Sequence, residues 1–362
     1  MLDLQRTVAV HGSEQVIALL EKSLAKAKEG NHNYVTVTMC EQDGIWVDFA
    51  GVIDMEYQVM RALDTLRLKM ESRIDSRQPP VVDESASADT WCYNLGNSPA
   101  SFDFIPWVIG AEMTRRRESA PGPLKVSFTL GKDGKQGLEG HYRSQMFTGV
   151  VRPALYMLGG VERSSTGRIK EMFTTREIVA HARSGERVPH FCASKPARRQ
   201  VRELLGEKRP VTITLREAEH WPHRNSNAPE WIKFARHLKE RGEEVIFVRD
   251  TACANDPFPC PTLPGASIDL DIRLALYERA KCNFFVPNGP WSLASFTAVP
   301  YIMPIRLDEK DIFPPSHPDF WERHQGIVEG EQFPWATPQQ RIVWNAVDDY
   351  KSLCQAWEDF DG

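Results

Sequence analysis

The spacing of apolar and polar positions changes period several times along this chain, and each change marks an element. Ser13 to Gly30 (SEQVIALLEKSLAKAKEG) repeats its apolar residues every three or four positions. That is the pattern of an amphipathic helix, with Ser13 placed to cap its start and Gly30 to stop it. Tyr34 to Met39 (YVTVTM) alternates with period two, Asp43-Gly44 is a hairpin signal, and Ile45 to Ala50 reads as the returning strand. Asp54 to Ile74 is helical again, with Met55, Val59, Leu63, Leu66 and Met70 on one face. Residues 1–74 are therefore expected to form a small α-β-β-α accessory unit. The following stretch, 75–89 (DSRQPPVVDESASAD), has the composition of a linker.

Beyond Thr90 the pattern alternates strands with helices, which predicts parallel sheets. Trp91 to Leu95 and Leu124 to Leu130 read as strands, and Phe102 to Arg117 and Tyr142 to Leu158 as helices. A new strand follows Pro210 (VTITL). A helix over Pro229 to Arg241 and a strand over Glu244 to Val248 come next, and Thr337 to Phe360 reads as one long final helix placed to return to the first α/β domain. The predicted fold class is α/β. It has two Rossmann-like parallel-sheet domains, 90–209 and 210–362, beside the small N-terminal α+β unit.

Asp269 to Pro304 is the most informative segment. Its pattern is helix, short apolar strand, the tight turn Asn288-Gly289-Pro290, a second helix and a second strand. A strand running through a Gly-containing turn into a helix is how open α/β sheets build a ligand site, and the helix start favours an anion, most often a phosphate.

Composition narrows the class. With 41% hydrophobic and 26% charged residues the chain is of globular type, and a net charge of −5 weighs against a dedicated nucleic-acid binder. Charge is unevenly spread: Glu162 to Arg209 holds 12 Lys/Arg against 6 Asp/Glu, including Lys195, Arg198, Arg199, Arg202, Lys208 and Arg209. That excess would suit an anionic acceptor or a cleft lining, and otherwise a solvated helix face. Few aromatics interleave with it, so no base-stacking surface is indicated there. Seven cysteines without ligand spacing predict reduced thiols and a cytoplasmic protein. No apolar run is long enough for a membrane span, and the first residues lack a signal-peptide pattern.

Three loops of the second domain follow strands and should open on one sheet edge. Arg216-Glu217 leads into HWPHRNSN with Arg224, Asn225 and Asn227. Asp250 follows EVIFV, and Asn288, Gly289 and Ser292 form the turn into the next helix. A guanidinium can bind two phosphate oxygens at once. An amide or carboxylate can bond a ribose or base. The expected donor-phosphate ligands are Arg216, Arg224, Asn288, Gly289 and Ser292, and Asn225, Asp250 and Asp271 are the candidates for the nucleoside. Asp269-Leu270-Asp271 has the form of a metal-binding DxD, but its place before a helix is better explained by capping. No metal or other cofactor is therefore expected.

Positions 210–305 resemble the nucleotide-binding C-terminal domain of GT-B glycosyltransferases, with the fucosyltransferase-like and heptosyltransferase-like groups nearest in pattern. The resemblance rests on Thr214-Leu215-Arg216 at a strand end and on the helix-strand-turn-helix of Asp271 to Ala298, about a quarter of the chain. Glu217 stands where the fucosyltransferase motif has a second basic residue, and Asn288 where the heptosyltransferase loop has Asp or Ser. The resemblance implies metal-independent transfer of a sugar from a nucleotide-sugar donor, with positive groups stabilising the leaving diphosphate. Asp103, Glu139, His141, His190 and Glu217 are the candidates for a general base. The acceptor would be a glycan or another anion. Rival readings are a non-catalytic nucleotide-binding or assembly protein, a glycosyltransferase acting on modified DNA, and homo-oligomerisation through residues 1–74.

Overall fold

The computed structural model describes residues 34–40, 46–52, 90–95, 98, 100–129, 146–162, 168–169, 173–219, 221–308 and 315–361. The predicted helices over 13–30 and 54–74, and the candidates Glu139 and His141, lie outside the described residues. The chain divides into two compact units, Met1–Glu84 and Ser85–Gly362. In the first unit β1 (Tyr34–Cys40) and β2 (Trp46–Val52) pair antiparallel, Tyr34 opposite Val52 and Cys40 opposite Trp46.

The second unit holds two parallel sheets. The first consists of β3 (Thr90–Asn94), β4 (Lys125–Thr129), β5 (Val161–Glu162) and β6 (Arg168–Ile169), in the order β5-β4-β3-β6. Helix α1 (Phe104–Arg117) joins β3 to β4 and buries Phe104, Ile105, Trp107, Val108 and Ile109. The rings of Tyr93, Phe104 and Trp107 meet edge-on or stacked, with centroids 4.9–5.5 Å apart, and this aromatic group covers the sheet. Glu112 is buried in the same helix. It accepts from Arg115 and Arg116 at 2.7 Å each.

The described part of the predicted helix 142–158 begins with a π-helical turn, Phe147–Val151, and continues as α2 (Arg152–Met157). Pro153 cannot donate to a carbonyl one turn back, which favours the wider turn at this point. Two further helices follow. α3 (Thr175–Arg183) is opened by a reciprocal capping box between Thr174 and Glu177, and α4 (Lys195–Leu205) is capped by the Ser194 hydroxyl.

The second sheet comprises β7 (Val211–Thr214), β8 (Val245–Val248), β9 (Cys282–Phe284), β10 (Tyr301–Ile305) and β11 (Gln340–Trp344), in the order β11-β10-β9-β7-β8. β7, β9 and β10 are buried at every position, as expected of strands with both faces covered. α5 (Ala228–Glu240) places Trp231, Phe234 and Leu238 on one face of the sheet. On that side they meet Leu353, Ala356 and Trp357 of the C-terminal helix. The short helix α6 (Pro264–Ile268) leads into α7 (Leu270–Arg279), which is buried continuously from Leu270 to Tyr277. β9 then gives way to α8 (Gly289–Ser295), and β10 is followed by the single turn α9 (Pro318–Phe320).

Two expectations for the C-terminal part are corrected. Residues 337–360 are not one helix: Gln340–Trp344 forms edge strand β11 beside β10, and only Tyr350–Asp361 is helical (α10). β-branched Ile342 and Val343 favour the strand, Asn345 adopts a positive φ of 59°, and the Gln332 side chain bonds both backbone groups of Ile342. The last helix also does not return to the first lobe, because Leu353 and Trp357 belong to the core of the second.

The two lobes of this unit are in intimate contact. α7 lies between the second sheet and the preceding lobe: Thr214 Oγ1 meets Tyr277 Oη at 2.7 Å, while Asp271 accepts from the Ser194 N–H at 2.7 Å. The Phe191 N–H donates to the Phe296 carbonyl at 2.9 Å. Glycines permit the closest approaches. Gly149 lies against the Ile268 carbonyl, and a Cβ on Gly289 would sit 2.5 Å from the Phe102 ring. Expected domain 90–209 thus includes Phe191–Leu205, a segment that packs on the second lobe through Ala193, Ser194 and Arg198.

Candidate functional site

The strand order of the second sheet locates a crevice. From β7 the chain crosses to β8 on one side, and β9 then takes the place on the other. Connections therefore diverge at the carboxyl ends of β7 and β9, and in open parallel sheets ligands bind at such a point. Residues 215–227 follow β7 and residues 285–288 follow β9, so both loops open there. Arg224 spans the gap, its Nη2 donating to the Pro287 carbonyl at 3.3 Å.

The loop after β7 is wound around Arg216. This side chain is 7% exposed, and its Nη1 donates to the Trp221 carbonyl at 3.0 Å and to Asn225 Oδ1 at 2.5 Å. Asn225 Oδ1 also accepts from Ala218 N, and its Nδ2 donates to Ala218 O, each at 3.0 Å. Arg216 and Ser226 exchange two further bonds. The Asn225 amide, a nucleoside candidate by sequence, is thus spent bracing the loop that carries the arginines.

Arg224 is held differently. It is half-buried, and its Nε is enclosed without a hydrogen-bond partner. Burial, and then the charge of Arg216, press its guanidinium down to about 10, so it remains a cation at neutral pH. Among the described residues no carboxylate pairs with it. Its Cζ stands 5.4 Å from the centroid of the Trp221 ring. A buried cation beside a second cation is an unfavourable arrangement that an anion would relieve.

The neighbouring acids are engaged by protein. Glu217 accepts two hydrogen bonds from one edge of the Arg249 guanidinium, Nε to Oε2 at 2.9 Å and Nη2 to Oε1 at 2.5 Å. Arg249 is pushed above the ordinary arginine value by this pairing. Asp250 caps the short turn Thr251–Cys253, accepting from Thr251 N at 2.8 Å. Asp269 caps α7 through the N–H groups of Asp271 and Ile272. Asp271 is buried against Ser194, on the lobe contact and away from solvent. Asp269 is therefore the helix cap of the capping reading, whereas Asp271 is held by the Ser194 N–H of another segment. Among the described residues no cluster of three or more His, Cys, Asp or Glu has the form of a metal site.

Asn288 is the N-cap of α8, and its own side chain accepts from Trp291 N at 3.1 Å. Ser292 donates its N–H to the Asn288 carbonyl at 3.4 Å. Phe102, from the segment before α1, covers Gly289, and Arg273 sits over the other part of this ring with Cζ 5.5 Å from the centroid. Asp103, next to Phe102, is exposed and accepts from Ser101 Oγ at 3.0 Å. It occupies the N-cap position of α1 without making a side-chain cap bond. The structure thus gathers Arg216, Glu217, Arg224, Asn225 and Asp250 around the ends of β7 and β8, links Arg224 to the turn of Asn288 and Gly289, and leaves Asp271 apart. His190 is exposed on the segment leading to α4.

An open groove of about 630 Å³ runs along the far edge strand β11, lined by Gly330, Gln332, Arg341 and Trp344 among others; none of the predicted site residues lines it. The basic stretch is partly neutralised, with Arg198 on Glu278, Arg199 near Glu203 and Lys208 on Glu244. Cys92, Cys192, Cys253, Cys260, Cys282 and Cys354 are free thiols, and no described helix is long and apolar enough to cross a membrane.

No protein-family model and no curated protein matches the sequence. Among solved structures the chain is similar to the E. coli ADP-heptose lps heptosyltransferase II. Identity is 9% and the TM-score 0.43, over 76% of this chain and 100% of that one. It is similar to the glycosyl transferase family 9 protein from Veillonella parvula DSM 2008 at 12% identity and a TM-score of 0.40, over 75% of this chain and 90% of that one. For E. coli heptosyltransferase WaaC with ADP-2-deoxy-2-fluoro heptose the values are 12% and 0.38, over 75% and 98%. At these scores the likeness assigns neither a family nor an activity to this chain.

Two residues that pattern reading passed over stand at the site. Trp221 adopts a left-handed backbone conformation with its side chain 51% exposed, and Phe102 covers Gly289. The Trp221-Pro222 step was the available signal for the first, since a residue before proline is restricted. Nothing local marks Phe102, whose partner is 187 positions away along the chain.

Proposed function

We propose that this protein is a glycosyltransferase of GT-B type. It moves a sugar from a nucleoside-diphosphate donor to a hydroxyl acceptor, with the donor diphosphate held by Arg216 and Arg224. The carrying observation is the pair of arginines at the β7/β9 switch point, one of them half-buried and, among the described residues, without a carboxylate partner. Cations fixed at the carboxyl end of parallel strands would stabilise negative charge developing on a leaving diphosphate, which is the work a metal ion does in other transferases. Asn288, Gly289 and Ser292 would approach the same diphosphate from the β9 side, and Asp250 the ribose. Asp103, an exposed candidate for a general base, adjoins the ring that lies on Gly289.

The test is thermal melting of the protein with GDP, UDP, ADP, CDP and TDP and their sugars, with and without EDTA. A ligand that binds only the folded state raises the melting temperature by mass action. A rise for one diphosphate that survives EDTA, together with its loss in Arg216→Ala, is the expected result. No rise with any of them would remove the reading.

A second reading, a binding protein of this fold without turnover, is favoured by one set of observations. Glu217 is committed to Arg249, Asp271 to Ser194, and Gly289 to Phe102. Binding of a nucleoside diphosphate without consumption of its sugar conjugate would favour it.

A further inference from the structure

We infer that Trp221 is the stacking platform for the nucleobase of the ligand whose phosphates lie on Arg216 and Arg224. This deepens the proposal above and rests on it.

Three observations carry the inference. The first is exposure. Trp221 is 51% exposed, whereas Trp107, Trp231, Trp321 and Trp357 are fully buried in cores. About half of this side chain is therefore open to solvent at the rim of the crevice, where a flat ligand can reach it.

The second is backbone conformation. Trp221 has φ 54° and ψ 60°, a left-handed conformation that side chains other than Gly, Asn and Asp rarely adopt. It also precedes Pro222, which further restricts it. Strained residues that persist at a ligand crevice point to function. The gain here is visible. The left-handed turn aims the Trp221 carbonyl inward, where it accepts from Arg216 Nη1 and from Arg224 N, both at 3.0 Å. The side chain is thereby directed outward at the rim of the same loop.

The third is the neighbourhood. Arg224 lies 5.4 Å from the ring centroid, so the phosphate cation and the aromatic face adjoin. A ligand with an anionic group on the arginines and a flat aromatic group a few bonds away would satisfy both. A nucleoside diphosphate has that form. An aromatic side chain accepts any base, because every base offers a π face. Asn225, the amide expected from the sequence to contact the nucleoside, is bonded on both its atoms within the loop. The platform therefore confers affinity for a base more than choice among bases.

The experiment compares inorganic pyrophosphate, a hexose 1-phosphate and the nucleoside diphosphates ADP, GDP and UDP by calorimetric titration of wild type, Trp221→Gly and Trp221→Phe. Glycine adopts the left-handed turn freely, so the carbonyl bonds to the arginines persist while the ring is gone. Nucleoside diphosphates should bind wild type more tightly than pyrophosphate does. Trp221→Gly should lose about ten- to hundredfold for them and nothing for pyrophosphate, and Trp221→Phe should retain most of the affinity. Quenching of tryptophan fluorescence by ADP should be present in wild type and weakened in Trp221→Phe.

Several results overturn the inference. Unchanged nucleotide affinity in Trp221→Gly removes the ring from the site. A loss confined to the hexose phosphate assigns it to a sugar instead. An equal loss for pyrophosphate shows that it acts only through the arginines. If wild type binds pyrophosphate and nucleoside diphosphates equally, the platform fails while the phosphate site stands. If wild type binds neither, the phosphate site fails and the platform with it.

Discussion

Two arginine sites stand at the same sheet edge and are built in opposite ways. Arg249, after β8, is 7% exposed. It is gripped bidentately by Glu217, donates to the Asp256 carbonyl at 3.1 Å, and lies over the Phe258 ring at 4.7 Å. Its charge is answered on every side, and pairing raises its proton affinity. Arg224, after β7, has one long bond to a carbonyl, a buried Nε without a partner and another arginine beside it, and its proton affinity is lowered. One cation is part of the fold. The other is held at a cost that the isolated protein does not recover. On the proposed reading, the contrast separates a structural charge from a binding charge by what surrounds it, where residue type alone cannot.

The comparison can be broken most forcefully from the structural side. Glu217→Gln leaves Arg249 buried without its counter-charge, and breaking such a pair costs about 3–5 kcal/mol. Denaturant unfolding should show a loss of that order. A loss below about 1 kcal/mol would mean that Arg249 is as loosely held as Arg224.

Glu112 provides a control in the first lobe. Burial pushes its carboxyl up, but the hydrogen bonds and charges of Arg115 and Arg116 together outweigh this and hold it below the ordinary carboxylate value. A lowered folded-state pKa stabilises the protein above the unfolded-state value, and the contribution is lost as pH falls through the folded one. Glu112→Gln should cost about 2 kcal/mol at neutral pH, and the gap to wild type should close in acid. A gap that stayed constant with pH would mean that the ion pairs are not its source.

Arg224→Met sharpens the comparison with the smallest expected change in stability. Removing a cation whose folded state is penalised should leave unfolding within about 1 kcal/mol of wild type, or raise it. The rise in melting temperature with added pyrophosphate should nevertheless disappear. A destabilised variant that still responds to pyrophosphate would exchange the roles assigned to the two arginines.

Much of the fold was legible in the sequence because local period is a backbone property. The helices at 104–117 and 228–240, the buried strands of the second sheet and the strand-turn-helix after Cys282 were all read from apolar spacing, and the cap at Asp269 from its place before a helix. Residues 337–360 misled because Ile342, Val343 and Trp344 followed by polar positions also fit a helical stripe. The pairing with β10, and the Gln332 amide on Ile342, override that preference and lie in other parts of the chain. At the candidate site Arg216 and Arg224 could be proposed from their position after a strand. Their unequal surroundings could not.

By itself, then, the sequence determined the alternation of strand and helix, the parallel character of the two sheets, and the placement of arginines and an Asn-Gly turn at strand ends. Those follow from side-chain spacing and from residue-specific backbone preferences, which act over a few positions. The tertiary structure alone decided which charges are cancelled. It also decided that Phe102 covers Gly289, that Asn225 is spent within its loop, and that Trp221 turns its carbonyl inward and its ring outward. These depend on contacts between segments far apart in the chain, and on burial, which only the assembled lobes create.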